Sequence, residues 1–163
     1  MDDRIYLYLV WGIGIILFIS AVPRGKRRVA QIAFLFKQFL TWILGLIVVE
    51  FDLIEYPVRF FASVNRSSFT FEYFAYPCIC AVFNSRYPEG RSIPYKLVYF
   101  AAYTSAMTLI EWMIERNSTF IEYIHWSWYW TWLSLFITFG MSRAFTRWFF
   151  HVKHVPQQRE GVQ

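Results

Sequence analysis

Charge is scarce in this chain. Charged residues fill 17% of its 163 positions, where a soluble domain carries about 25%. Cysteine is nearly absent: Cys78 and Cys80 stand two residues apart in an apolar stretch. They build no disulfide framework, and on a helix their thiols face different sides, so they read as small apolar filler. Also missing are a nucleotide-binding loop, a recognised metal signature and a catalytic triad. The chain therefore declares no reaction, and we assign it no catalytic residue and no cofactor. What it has instead is aromatic: eighteen Phe, eleven Tyr and eight Trp, more than a small soluble core hides.

The net charge of +5 does not point to nucleic acid. The basic residues border hydrophobic runs, which is where topogenic charge and contacts with anionic lipid belong. Five such runs can be drawn, at residues 5–22, 30–49, 69–83, 94–114 and 126–145. The predicted fold is all-α: one integral membrane bundle of five transmembrane helices over residues 1–150. Its loops are short except for an outer connection at about 50–67, and residues 151–163 form a flexible cytoplasmic tail.

Local features support these runs. The first has 18 residues, about 27 Å of helix. Asp2 and Asp3 precede it and Arg24, Lys26, Arg27 and Arg28 follow it, the reverse of a signal peptide. In the second run Gln31, Gln38, Thr41 and Gly45 recur at helical spacing and should face neighbouring helices. Lys37 should snorkel towards the headgroups. Tyr56 to Phe61 looks like an amphipathic piece lying in the interface, and Asn65, Ser67 and Ser68 offer a helix cap. The third run is short, with Glu72 near its start and a kink expected at Pro77. Ser92 should cap the fourth helix, where Ala101/Ser105 and Ala102/Ala106 are spaced for close helix packing. Ser127, Thr131, Ser134, Thr138 and Ser142 mark the inward face of the fifth.

Charge sorting gives an orientation. Taking alternate ends, eleven Lys and Arg against Glu89 and Glu160 give one side +9. Nine carboxylates against Arg4, Arg59, Arg66 and Arg116 give the other −5, and Lys37 supplies the last +1. The positive-inside rule then predicts a multi-pass protein of the cytoplasmic membrane, N-terminus outside and C-terminus in the cytoplasm.

Seven residues form the candidate polar or ion cluster: Glu55, Arg59, Glu72, Glu111, Glu115, Glu122 and His125. Glu111 and Glu115 are four apart, and Glu122 and His125 three apart, so each pair shares a face if helical. In a compact bundle these groups converge at the outer mouth, where carboxylate and imidazole suit a proton, a cation or a metal. A blander reading is that outer loops are acidic because Lys and Arg are kept from them, with Glu72 and His125 paired to Arg59, tyrosines or backbone. A third makes this a partner-binding surface.

Three stretches, Leu53-Ile54-Glu55-Tyr56-Pro57-Val58-Arg59, Phe69-Thr70-Phe71-Glu72-Tyr73-Phe74 and Ile121 to Trp132 (IEYIHWSWYWTW), carry a resemblance. The chain resembles a family of small multi-span membrane proteins of Bacillus-like, spore-forming Firmicutes, over roughly residues 30–150. The resemblance implies a bacterial cell membrane and no catalytic role. On these grounds the expected function is a non-enzymatic component of a membrane complex, or of envelope or spore physiology. The alternatives are a small proton- or cation-handling transporter or channel and an intramembrane lipid-acting enzyme using Glu122 and His125. The expected partners are the lipid bilayer and either a membrane protein or further copies of the chain, with no nucleic acid.

Overall fold

The computed structural model describes residues 4–152. Asp2, Asp3 and residues 153–163, which carry most of the expected tail, lie outside the described residues. Helix α1 (Arg4–Ala21) leads through a 3₁₀ turn (Arg24–Lys26) into α2 (Arg27–Glu50). A connection containing the two-residue strand β1 (Ile54–Glu55) follows. Next come a π-helical turn (Phe71–Ala75), α3 (Tyr76–Ser85) and α4 (Ile93–Asn117). Strand β2 (Glu122–Tyr123) and α5 (Trp128–Val152) complete the order. Residues 151 and 152 continue α5 rather than opening a tail.

Pro77, expected to kink the third helix, stands in the first turn of α3 directly after the π-helical turn. It has no N–H to offer the Tyr73 carbonyl four residues back, and the ladder slips to π spacing, with the Tyr76 N–H on Phe71 O. The freed carbonyls are met by α2: Gln38 Nε2 donates to Tyr73 O at 2.9 Å and Thr41 Oγ1 to Glu72 O at 2.6 Å. The polar stripe of α2 thus faces this helix, except for Gln31, which is exposed. Gly45 belongs to the same seam. A Cβ there would lie 2.7 Å from Ser67 Oγ and 2.8 Å from Glu72 Cγ.

The local expectations divide. Ser68 Oγ accepts the Phe71 N–H and caps the third helix, whereas Ser92 makes no side-chain cap. Ala102 and Ala106 are exposed rather than packed. Tyr56 to Phe61 form no surface-lying helix: Tyr56 is buried, and the loop wraps the Arg59 guanidinium, which donates to the carbonyls of Tyr56, Ala62 and Asn65. Lys37 does not snorkel. It is 0% exposed, in the middle of the bundle.

Among the described residues, the loops that carry most of the basic residues and those that carry most of the exposed acidic ones lie at opposite ends of the helices. At one, Arg86 Nε donates to Ala21 O at 2.6 Å and Arg143 of α5 pairs with Glu89. At the other, Tyr8 packs on Phe60 and Tyr6 on Phe120, and β1 pairs antiparallel with β2. Between the ends, apolar residues point outward: Ile13, Ile16 and Ile19 of α1, Leu35 and Phe39 of α2. Polar ones point in, among them Lys37, Glu72, Glu111, Thr138 and Ser142. Two helical stretches, Arg24–Glu50 and Ile93–Asn117, are long and apolar enough to cross a membrane, and Ile5–Ala21 is a shorter apolar helix. An apolar exterior over a polar interior is consistent with membrane association.

Gly45→Ala should destabilise the detergent-solubilised protein by about 1–3 kcal/mol, read as a lower Tm. Gly12→Ala, with open space at its Cβ, should not lower it. Equal Tm values would remove the seam from the account.

Candidate functional site

The third helix, α4 and α5 each carry polar side chains to one point below the connection that holds β1. Glu111, buried on the inner face of α4 at 7% exposure, is the best held. Its Oε2 accepts from Tyr76 at 2.6 Å; its Oε1 accepts from Tyr123 at 2.6 Å and Thr131 at 2.8 Å. Trp126 Nε1 donates to Thr131 Oγ1 at 2.8 Å and fixes that hydroxyl. Glu72, 8% exposed on the π-helical turn, accepts one side-chain bond, from Tyr56 at 2.8 Å. Both carboxylates line one cavity of about 130 Å³, together with Thr41, Ser134 and Thr138. That volume is enough for several waters.

Beneath the cavity floor, Lys37 Nζ donates to Thr138 Oγ1 at 2.5 Å and lies 4.8 Å from the Phe139 ring centre. Lys37 makes no direct ion pair with Glu72 but is within electrostatic range of both Glu72 and Cys80. Cys80 Sγ in turn reaches Ser142 Oγ at 3.1 Å, and Asn84 Nδ2 reaches the same hydroxyl at 3.2 Å. Arg143 and its partner Glu89 follow at the far end. The inner face of α5, with Thr131, Thr138, Ser142 and Thr146 all buried, is the spine of this polar file.

The two connections that carry β1 and β2 supply one donor each, Tyr56 and Tyr123. Burial, reinforced by Glu72 and Glu111, pushes the Tyr56 hydroxyl well above the usual tyrosine range. Burial, then Glu111, does the same for Tyr123. Both hydroxyls therefore keep their protons, and so remain donors, throughout the physiological range.

The seven expected site residues divide. Glu72 and Glu111 enter the cavity. Glu115 is half-buried one turn beyond Glu111 and within electrostatic range of Tyr123. Glu55, Glu122 and His125 are exposed. Residues 122–125 are strand and turn rather than helix, so the three-residue spacing of Glu122 and His125 gives no shared face. Glu55 lies directly opposite Glu122 in the strand pair, and the His125 N–H bonds the Leu53 carbonyl. Arg59 meets neither Glu72 nor His125; it holds its own loop. Among the described residues no three His, Cys, Asp or Glu side chains gather as metal ligands.

Sequence reasoning left Tyr56, Tyr123, Trp126 and Lys37 outside the cluster. No periodicity marks the first three, which come from irregular connections. Lys37 did carry a signal: it precedes Thr41 by four residues on the polar stripe.

These elements define a class: a helical protein with an apolar exterior and an internal acid–tyrosine–lysine file. Comparison with protein-family models, with curated proteins and with solved structures returned no match.

Tyr56→Phe and Glu72→Gln should be coupled by about 0.5–3 kcal/mol in a double-mutant cycle, measured by unfolding in mixed detergent micelles. Strict additivity would mean that the 2.8 Å contact does not hold the connection that carries β1.

Proposed function

We propose that this is a five-span protein of a bacterial cytoplasmic membrane that binds and relays protons along the file from Glu111 and Glu72 to Lys37 and Ser142. One observation carries the reading: two carboxylates and a lysine, all buried, share or adjoin one internal cavity. Ionisable groups at such depth are costly and mark ion or proton paths by default. Lys37 favours the proton over the metal ion. An ammonium below the carboxylates repels a metal cation entering from the acidic end, yet it can itself accept and release a proton. Within the cavity the roles differ. Glu111, with three donors, is the fixed group; Glu72, with one, is the group able to exchange.

The five-span arrangement is supported by the sorting of charge to opposite ends and by the outward apolar faces. In this arrangement the end bearing β1 and β2 faces outside and the end bearing Arg86 and Arg143 faces the cytoplasm. The resemblance to small membrane proteins of Bacillus-like Firmicutes supports the bacterial setting.

A second reading is a non-transporting component of a membrane complex. It is favoured by the saturation of Glu111, since such a network can also act purely as a structural clamp. A lipid-acting enzyme draws less support, because His125 is exposed and apart from the buried carboxylates.

Purified protein in proteoliposomes should dissipate an imposed pH gradient. Glu72→Gln should abolish this and Glu55→Gln, on the exposed strand, should not. Flux that survives Glu72→Gln would rule out the proposed relay; no flux from the wild type would leave the second reading. Topology has its own check with a membrane-impermeant maleimide, since native Cys78 and Cys80 are buried. Val64→Cys should label on intact cells, and Ser92→Cys only after permeabilisation.

A further inference from the structure

A second concavity lies apart from the polar file, on the outer face of the bundle between α4 and α5. It is a groove of about 470 Å³ walled by Trp112, Trp128 and Trp132, with Ser105 and Thr108 along its floor and Arg116 at its rim. The floor is already satisfied: Ser105 Oγ accepts the Trp132 indole N–H at 3.0 Å and Thr108 Oγ1 donates to the Thr104 carbonyl. The groove therefore offers ring faces and no demand for polar partners. Its rim differs. Arg116 is exposed, its guanidinium 4.7 Å from the Trp112 ring centre, and among the described residues it has no carboxylate partner. Glu115 does not neutralise it. That residue shares the Glu111 face, about 100° around the helix.

We infer that this groove binds one anionic phospholipid, its phosphodiester on Arg116 and an acyl chain between the three indole rings. The inference rests on the membrane reading above. An unpaired guanidinium stacked on Trp at a helix end sits where headgroup phosphates lie, and Arg matches a phosphate by paired N–H bonds. Of the other arginine side chains described at that end, Arg66 pairs with Asp52 and Arg59 donates to carbonyls of its own loop, which leaves the groove rim as the local positive site for a negative headgroup. A second copy fits less well: two-fold docking on this groove would bring Arg116 towards its own image.

Native mass spectrometry of protein in detergent micelles doped with phosphatidylglycerol or phosphatidylcholine tests this. The wild type should retain phosphatidylglycerol about five-fold better. Arg116→Gln should bring the two lipids near parity, and Trp132→Ala should weaken both. An unchanged preference in Arg116→Gln, displacement of the lipid by inorganic phosphate, or a dimer with no bound lipid would each overturn the assignment. Carbonate extraction of membranes separates this from the membrane reading itself. A chain that washes off the membrane fails that reading; a chain that stays in but binds lipid without regard to Arg116 fails only this one.

Discussion

The Glu111 carboxylate has to find donors inside a helical bundle, and the half of the structure that bears β1 and β2 is arranged around that need. A buried acceptor left without partners costs about 1–3 kcal/mol. Helices cannot supply backbone N–H groups to it, because theirs are spent in their own ladders. Side-chain hydroxyls are what remain. Tyr76 and Thr131 come from neighbouring helices, but Tyr123 comes from the connection between α4 and α5. Drawing Tyr123 inward brings β2 beside β1, with Ile54 opposite Tyr123. Two residues beyond Ile54, Tyr56 then reaches Glu72. One buried acid thus ties together the two connections that carry β1 and β2.

The same accounting of hydrogen bonds explains the third helix. Pro77 removes a donor and the π-helical turn frees carbonyls at Glu72 and Tyr73, which would be untenable against lipid. Thr41 and Gln38 take them up. Gly45 then lets α2 approach closely enough for the Glu72 stem to pass. The π-helical turn also re-aims Glu72, and such bulges inside helices are frequent at functional sites.

Taken together, the polar file and the tryptophan groove give the bundle two surfaces of different chemistry. The file is internal, titratable and continuous with α5. The groove is external, aromatic and rimmed by one cation. Both depend on α4 and α5 presenting opposite faces: Glu111 and Thr131 inward, Trp112 and Trp132 outward. They test independently because Arg116 and the buried acids share no contact.

From the sequence alone came the helical class, the five apolar runs, the separation of acid from base and the inward Ser/Thr face of α5. These follow from local composition and period, which a single strand of text displays. It also placed Glu72 and Glu111 in one cluster, but it could not tell them from Glu55, Glu122 and His125. Burial is a property of three dimensions, and all five residues read alike as charges near helix ends. Only the tertiary structure decided that Tyr56 and Tyr123 turn inward and that Lys37 stays in the core. Their positions are set by partners 16, 12 and 101 residues away along the chain, and contacts at those separations leave no periodic mark on the sequence.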